Sequence, residues 1–158
     1  MEFYTIGVYN STEDEFFQKL ISNNIDTFCD IRQRRGVRGA KYAFVNSTRL
    51  QNRLKDLGIN YIHEIELAPT KEIRELQKQA DLIQGDQKRT RNKLGDVFIR
   101  EFNEQILKPF DLSSFIENLK KIKAEKVVLF CVEEKAEACH RSLVTQKLKE
   151  SGFNISHL

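Results

Sequence analysis

The segment running Cys131-Val-Glu-Glu-Lys-Ala-Glu-Ala-Cys139-His140-Arg141-Ser142 is the part of the chain richest in reactive side chains. At a strand-to-helix junction, backbone N–H groups and the positive end of a helix dipole favour an anion. A thiol placed there has a lowered pKa, and a neighbouring imidazolium or guanidinium lowers it further. Cys139 is therefore a candidate thiolate and His140 a candidate general acid or base. Glu133 can handle protons beside them, and Arg141 can clamp an oxyanion.

Two better-known chemistries fit this segment poorly. A cysteine phosphatase places five residues between its Cys and Arg, whereas nine separate Cys131 from Arg141 here, three of them glutamates that would repel a phosphate. A zinc site could draw on Cys131, Cys139, His140 and His157, but their spacing matches no familiar signature, and adjacent Cys and His residues seldom point to one ion. The expectation is no metal and no cofactor. Cys29 alternates into an apolar run and reads as a small buried hydrophobe.

A second chemical signal is electrostatic. The net charge is only +3, but no acid occurs from Ile31 to Lys55, a stretch holding Arg32, Arg34, Arg35, Arg38, Lys41, Arg49, Arg53 and Lys55. The Arg32 to Lys41 loop, with Gly36 and Gly39, is expected to be partly exposed and to attract phosphates, on a nucleic acid or a phosphorylated small molecule. A second cluster of Lys88, Arg89, Arg91 and Lys93 reads instead as long side chains solvating a loop.

The elements that must position these groups alternate between strand and helix patterns. Strands are expected at Phe3 to Val8, Thr27 to Ile31, Ile59 to His63, Val127 to Val132 and Phe153 to His157. Thr12 with Glu15 forms a capping box ahead of a helix on Phe16, Phe17, Leu20 and Ile21. Asn46, Ser47 or Thr48 caps a helix on Leu50, Leu54 and Leu57, which Gly58 ends. Further stripes fall on Ile73, Leu76, Ala80 and Ile83; on Leu94, Phe98, Phe102 and Ile106; on Phe115, Ile116, Leu119 and Ile122, opened by Asp111; and on Leu143, Val144 and Leu148. The segment from Gly85 to Asn92 reads as a mobile connection. Together these predict a single α/β domain over residues 1–158, a three-layer arrangement with a small, mainly parallel central sheet and helices on both faces.

Ligands of parallel sheets gather beyond the carboxyl ends of the strands. That edge would collect Gly7 and Asn10 after the first strand, Asp30 and Arg32 after the second, His63 after the third, and Cys131 with Glu133 after the fourth. For Asp30 and Arg32 the competing reading is an ion pair tying down the loop. For the Cys-His-Arg segment it is a packed Cys139 and an Arg141 bonded to strand-end carbonyls.

The chain is ordinary in composition and has no apolar run long enough to cross a bilayer. It shows no signal-peptide pattern, and three sparse cysteines suit a reducing cytoplasm.

Thr5-Ile6-Gly7, Asp30-Ile31-Arg32, Phe44 with Asn46, Gly58 with Tyr61 and His63, Cys131 with Glu133, Cys139-His140-Arg141 and His157-Leu158 occur in an ordered set. In this the chain resembles the bacterial and archaeal family called domain of unknown function 488. The resemblance implies an α/β fold and suggests that these positions, Asn46 included, form a shared site. It supplies no reaction. Where the family commonly has Leu-Gly-Gly after the third strand, this chain has Leu67-Ala68-Pro69, so side chains occupy a wall that bare backbone could offer a ligand. The leading expectation is an enzyme acting on a nucleotide, nucleic acid or other phosphorylated substrate. The alternative is a non-catalytic nucleic-acid or nucleotide-binding module.

Overall fold

A computed structural model describes residues 1–85, 87 and 91–158 of the chain. Five strands form one all-parallel sheet: β1 (Glu2–Ile6), β2 (Thr27–Asp30), β3 (Asn60–His63), β4 (Lys126–Phe130) and β5 (Ile155–His157), in the order β3-β2-β4-β1-β5. The central strand β4 reads Val127-Val128-Leu129-Phe130 without a polar break, and all four are fully buried. That continuous apolar run is what a strand covered on both faces requires.

Alternation along the strands divides the core into two layers. Tyr4, Ile6, Phe28, Val128 and Phe130 point to the face covered by α1 (Glu13–Ser22) and α2 (Ser47–Asp56), where Phe16, Phe44, Leu50 and Leu54 pack. Phe3, Cys29, Val127 and Leu129 point to the opposite face. It is covered by α3 (Lys71–Gln84), α4 (Asp96–Phe102), α5 (Leu112–Lys121) and α6 (Arg141–Glu150). The sheet with helices on both faces is the expected α/β arrangement. Among the described residues no helix is long and apolar enough to cross a membrane.

Local chemistry explains most boundaries. The Thr12 side chain accepts from Glu15 N while the Glu15 carboxylate accepts from Thr12 N, so the capping box closes α1 as its sequence demands. Asp111 caps α5 by accepting from Ser114 N. Gly58, at φ 71°, takes the left-handed conformation that ends α2 and turns the chain into β3.

Two helices depart from the expected stripes, each for a physical reason. After α4 the chain makes a π-helical turn over Asn103–Leu107, which inserts one residue into the helical repeat. Leu107 is therefore buried where simple periodicity assigned Ile106, which is only partly buried. In α3, Ile73 is buried, but the next inward positions are Gln77 and Asp81; Ile83 is 86% exposed and Leu82 71% exposed. The helix turns a polar stripe toward the sheet, so there must be polar partners beneath it.

Candidate functional site

Beyond the carboxyl end of β2, Asp30 is completely buried and binds Arg32 through two parallel bonds, Nε to Oδ1 at 2.9 Å and Nη2 to Oδ2 at 2.7 Å. Arg32 also donates from its backbone to Asp30 Oδ1 and from Nη2 to the Val45 carbonyl, and its guanidinium lies 4.5 Å from the centre of the Phe130 ring. The Tyr61 hydroxyl donates to Asp30 Oδ2, and His63 donates from Nε2 to the Arg32 carbonyl. Burial, with the Asp30 carboxylate beside it, pushes the Tyr61 hydroxyl up to about 12 despite the opposing pull of Arg35. The expected ion pair tying down the loop is thus present. Arg32 nevertheless keeps one nitrogen, Nη1, with no hydrogen-bond partner among the described residues.

Beyond β4 sits a second buried group. Cys131 donates its thiol to Glu133 Oε2 at 3.1 Å. The other oxygen of Glu133 is held by Arg91 Nη2 at 2.9 Å, and Arg91 Nη1 holds Asp81 Oδ2 at the same distance. Gln77 donates to Asp81 Oδ1, so the polar stripe of α3 ends in this network. His140, at the N-cap of α6, donates from Nε2 to the Ile31 carbonyl at 3.0 Å, which leaves Nδ1 facing the thiols. Cys139 Sγ lies 3.7 Å from that Nδ1, and Cys131 Sγ is close to both. Burial opposes an imidazolium at His140, but Cys131 and Glu133 favour it more, and the pKa is raised.

Several sequence expectations need correction. Cys139 has no exposed surface, and burial, reinforced by Cys131 and Glu133, pushes its thiol well above the ordinary range, so it is not a low-pKa thiolate. The thiol facing the cleft belongs to Cys131. Arg141, 2% exposed, clamps no oxyanion: Nη1 donates to the carbonyls of Ile6 and Cys131, and Nη2 to that of Glu134. Gly7 is a packing residue, because a Cβ there would run into the Glu133 carbonyl and lie 2.9 Å from Arg141 Nη1.

Asn10 lies on a separate shallow depression with Thr12 and Arg49, its backbone N–H on the Tyr42 hydroxyl. Asn46 accepts from Val37 N at 2.6 Å and so braces the basic loop, while the α2 N-terminus goes without its side chain. His63 supports Arg32 from behind and does not line the cleft. Arg91, expected to solvate a loop, is a buried bridge between two carboxylates. Lys93 is exposed as expected; Lys88 and Arg89, with residues 86 and 90 of the 85–92 connection, lie outside the described residues.

The two buried groups share one cleft of about 630 Å³ at the sheet edge. Cys131, Glu133, His140 and Arg32 line its depth, with Tyr9, Val132 and Phe98 as apolar surface. Arg34, Arg38, Lys71, Arg74 and Lys78 line it from the basic loop and from α3, giving seven basic side chains in all against three acidic ones. The Arg32 to Lys41 loop is largely exposed, as expected, with Arg32 the buried exception. Pro69 also lines the cleft, so the departure at Leu67-Ala68-Pro69 does put a side chain in its wall.

Sequence reasoning missed Lys71, Arg74, Gln77 and Lys78. The available signal was the spacing of Ile73, Gln77 and Asp81 at i, i+4 and i+8, one face of a helix. The family model described as Domain of unknown function DUF488 matches residues 12–148, and the chain belongs to that family. Comparison with curated proteins and with solved structures finds no match.

Proposed function

We propose that this member of the family is an enzyme that takes a phosphorylated substrate, a nucleotide or nucleic acid, into the basic cleft and acts on it where Cys131, Glu133 and His140 meet. The observation that carries this reading is the division of one cleft into a basic outer part and a buried floor of proton-bearing side chains. Lys71 and Lys78 on α3 line the same cleft as Arg34 and Arg38 of the loop, so an anion entering it meets positive charge from two elements. Arg91 bridges Glu133 and Asp81 and offsets part of their charge, which reduces their repulsion of phosphate. Arg32, fixed by Asp30, offers its remaining nitrogen without having to reorganise.

At the floor, Glu133 and Cys131 share a hydrogen bond within the same pocket as His140. Such a set can carry a proton to or from a reacting oxygen or nitrogen. The closed internal pairing of that floor favours a second reading, a non-catalytic binding module whose floor is structural.

Binding is read by titrating a mononucleotide and a short single-stranded oligonucleotide at several salt concentrations. The R34A/R38A/K78A variant should weaken binding and flatten its salt dependence, by about one unit of log–log slope for each phosphate that is no longer neutralised. Turnover abolished in E133Q with binding retained supports the enzyme. Binding without turnover in the intact chain supports the module. Wild-type binding by the triple variant refutes both.

A further inference from the structure

We propose that Cys131, Cys139 and His140 form a binding site for a single zinc-class ion at the floor of the cleft. The two sulfurs and one imidazole nitrogen lie within 4.8 Å of one another, and all three residues are buried. In a tetrahedral zinc site the sulfur–sulfur and sulfur–nitrogen edges are about 3.8 and 3.5 Å. The 3.7 Å between Cys139 Sγ and His140 Nδ1 already meets that requirement.

The adjacency of Cys139 and His140, which argued against a metal at the level of sequence, is overcome by the backbone. Cys139 is extended at φ −136°, ψ 146°, and His140 turns helical at φ −56°, ψ −19°. The sharp change of direction between them swings both side chains toward Cys131.

The surroundings are those a metal ligand needs. Nε2 of His140 donates to the Ile31 carbonyl, which fixes the tautomer that presents the Nδ1 lone pair and orients the ring. Two thiolates and an imidazole are a soft-to-borderline set that selects zinc over magnesium, calcium or manganese. Binding releases both thiol protons to solvent, so two thiolates balance the charge of a divalent ion. Glu133 Oε2 then loses the Cys131 proton it accepts in the metal-free site, while Arg91 still holds its other oxygen. Cys131 and His140 line the cleft and Cys139 lies behind them, so the fourth position opens toward the cleft, as in catalytic zinc sites.

This inference deepens the enzyme reading but is tested apart from it, with no phosphorylated ligand present. The full chain, reduced and stripped with a chelator, is titrated with Co²⁺ and then with Zn²⁺. The expected result is one cobalt per chain, with a near-ultraviolet thiolate-to-cobalt charge-transfer band and intense visible bands of a tetrahedral site, all abolished as zinc displaces cobalt. C139S and C131S should each weaken cobalt binding at least about tenfold and reduce the charge-transfer intensity. C29S, which alters a buried thiol outside the cluster, should leave both unchanged. Absence of the charge-transfer band in the wild type overturns the proposal, as does a folded C139S that keeps full affinity. The wild-type spectrum decides alone if the serine variants fail to fold. Cobalt binding without nucleotide binding would refute only the function proposed above, and nucleotide binding without cobalt only this site.

Discussion

Replacing Gly7 by alanine adds one methyl group at the point where β1 hands over to the loop after β4. A Cβ built there falls on the Glu133 carbonyl oxygen, 2.8 Å from its carbon and 2.9 Å from Arg141 Nη1. The Glu133 backbone cannot yield by rotating a side chain, so the loop must move. That motion disturbs the Arg141 latch, whose Nη1 bonds Ile6 and Cys131 at 3.0 and 3.3 Å. Overpacking of this kind costs about 1–3 kcal/mol, and weakening a charged hydrogen bond adds about 1.5–3 kcal/mol. The expected loss is therefore about 2.5–6 kcal/mol, or a fall in Tm of roughly 5–24 °C for a chain of this size. Urea denaturation followed by circular dichroism measures it. The R141M background supplies a control: part of the clash vanishes with the guanidinium, so the two substitutions should couple and cost less together than the sum of each alone. A G7A protein within about 0.5 kcal/mol of wild type would refute the packing argument.

Asp30→Asn leaves the Arg32 guanidinium buried without its carboxylate and should cost about 3–5 kcal/mol by the same denaturation assay; a loss under about 1 kcal/mol would mean that Asp30 is not the anchor of the loop. Arg91→Met removes the guanidinium that bridges Asp81 and Glu133 and should cost about 3 kcal/mol, and unchanged stability would show that α3 is not held through this bridge. His157 has its pKa lowered by burial and by Lys149, so the folded state prefers the neutral ring that bonds Thr5 Oγ1. Its contribution is complete above the unfolded value of 6.5 and is lost as pH falls through the lower folded value. Wild-type stability should therefore decline more steeply than that of H157N below about pH 6.5, and parallel stability–pH curves would refute this.

The layered fold could be read from residue patterns because burial and period coincide in most elements. The unbroken Val127 to Phe130 run could only be a strand covered on both sides, and the Thr12–Glu15 box could only open a helix. Where the two signals part, the reading slips. A π-turn shifts the α4 stripe by one residue, and nothing in Asn103-Glu104-Gln105 announces it. In α3 the apolar stripe of Ile73, Leu76, Ala80 and Ile83 suggests an inward face, but the helix turns Ile83 to solvent and Gln77 and Asp81 inward.

The site was legible as a place more than as a set of roles. The sheet-edge rule brought Arg32, Cys131 and Glu133 to one cleft because each stands within a few residues of a strand end, and strand ends of a parallel sheet are neighbours; His140 joins them from the N-cap of α6. Roles depend on which way a side chain turns, and here competition for unpaired backbone decides. Arg141 is drawn back onto three carbonyls at the crowded junction of β1 and β4, which removes it from any ligand and makes Gly7 necessary. With Arg141 fixed beneath the loop, Cys131 is left facing the cleft and Cys139 is sealed behind it. Arg91 then becomes a cation that holds Glu133 under α3, over a sequence distance of 42 residues that no local pattern could reveal. The polar inward stripe of α3 is thus the counterpart of the acidic loop after β4. Gln77 and Asp81 are buried because Arg91 needs them, and Arg91 is buried because Glu133 does.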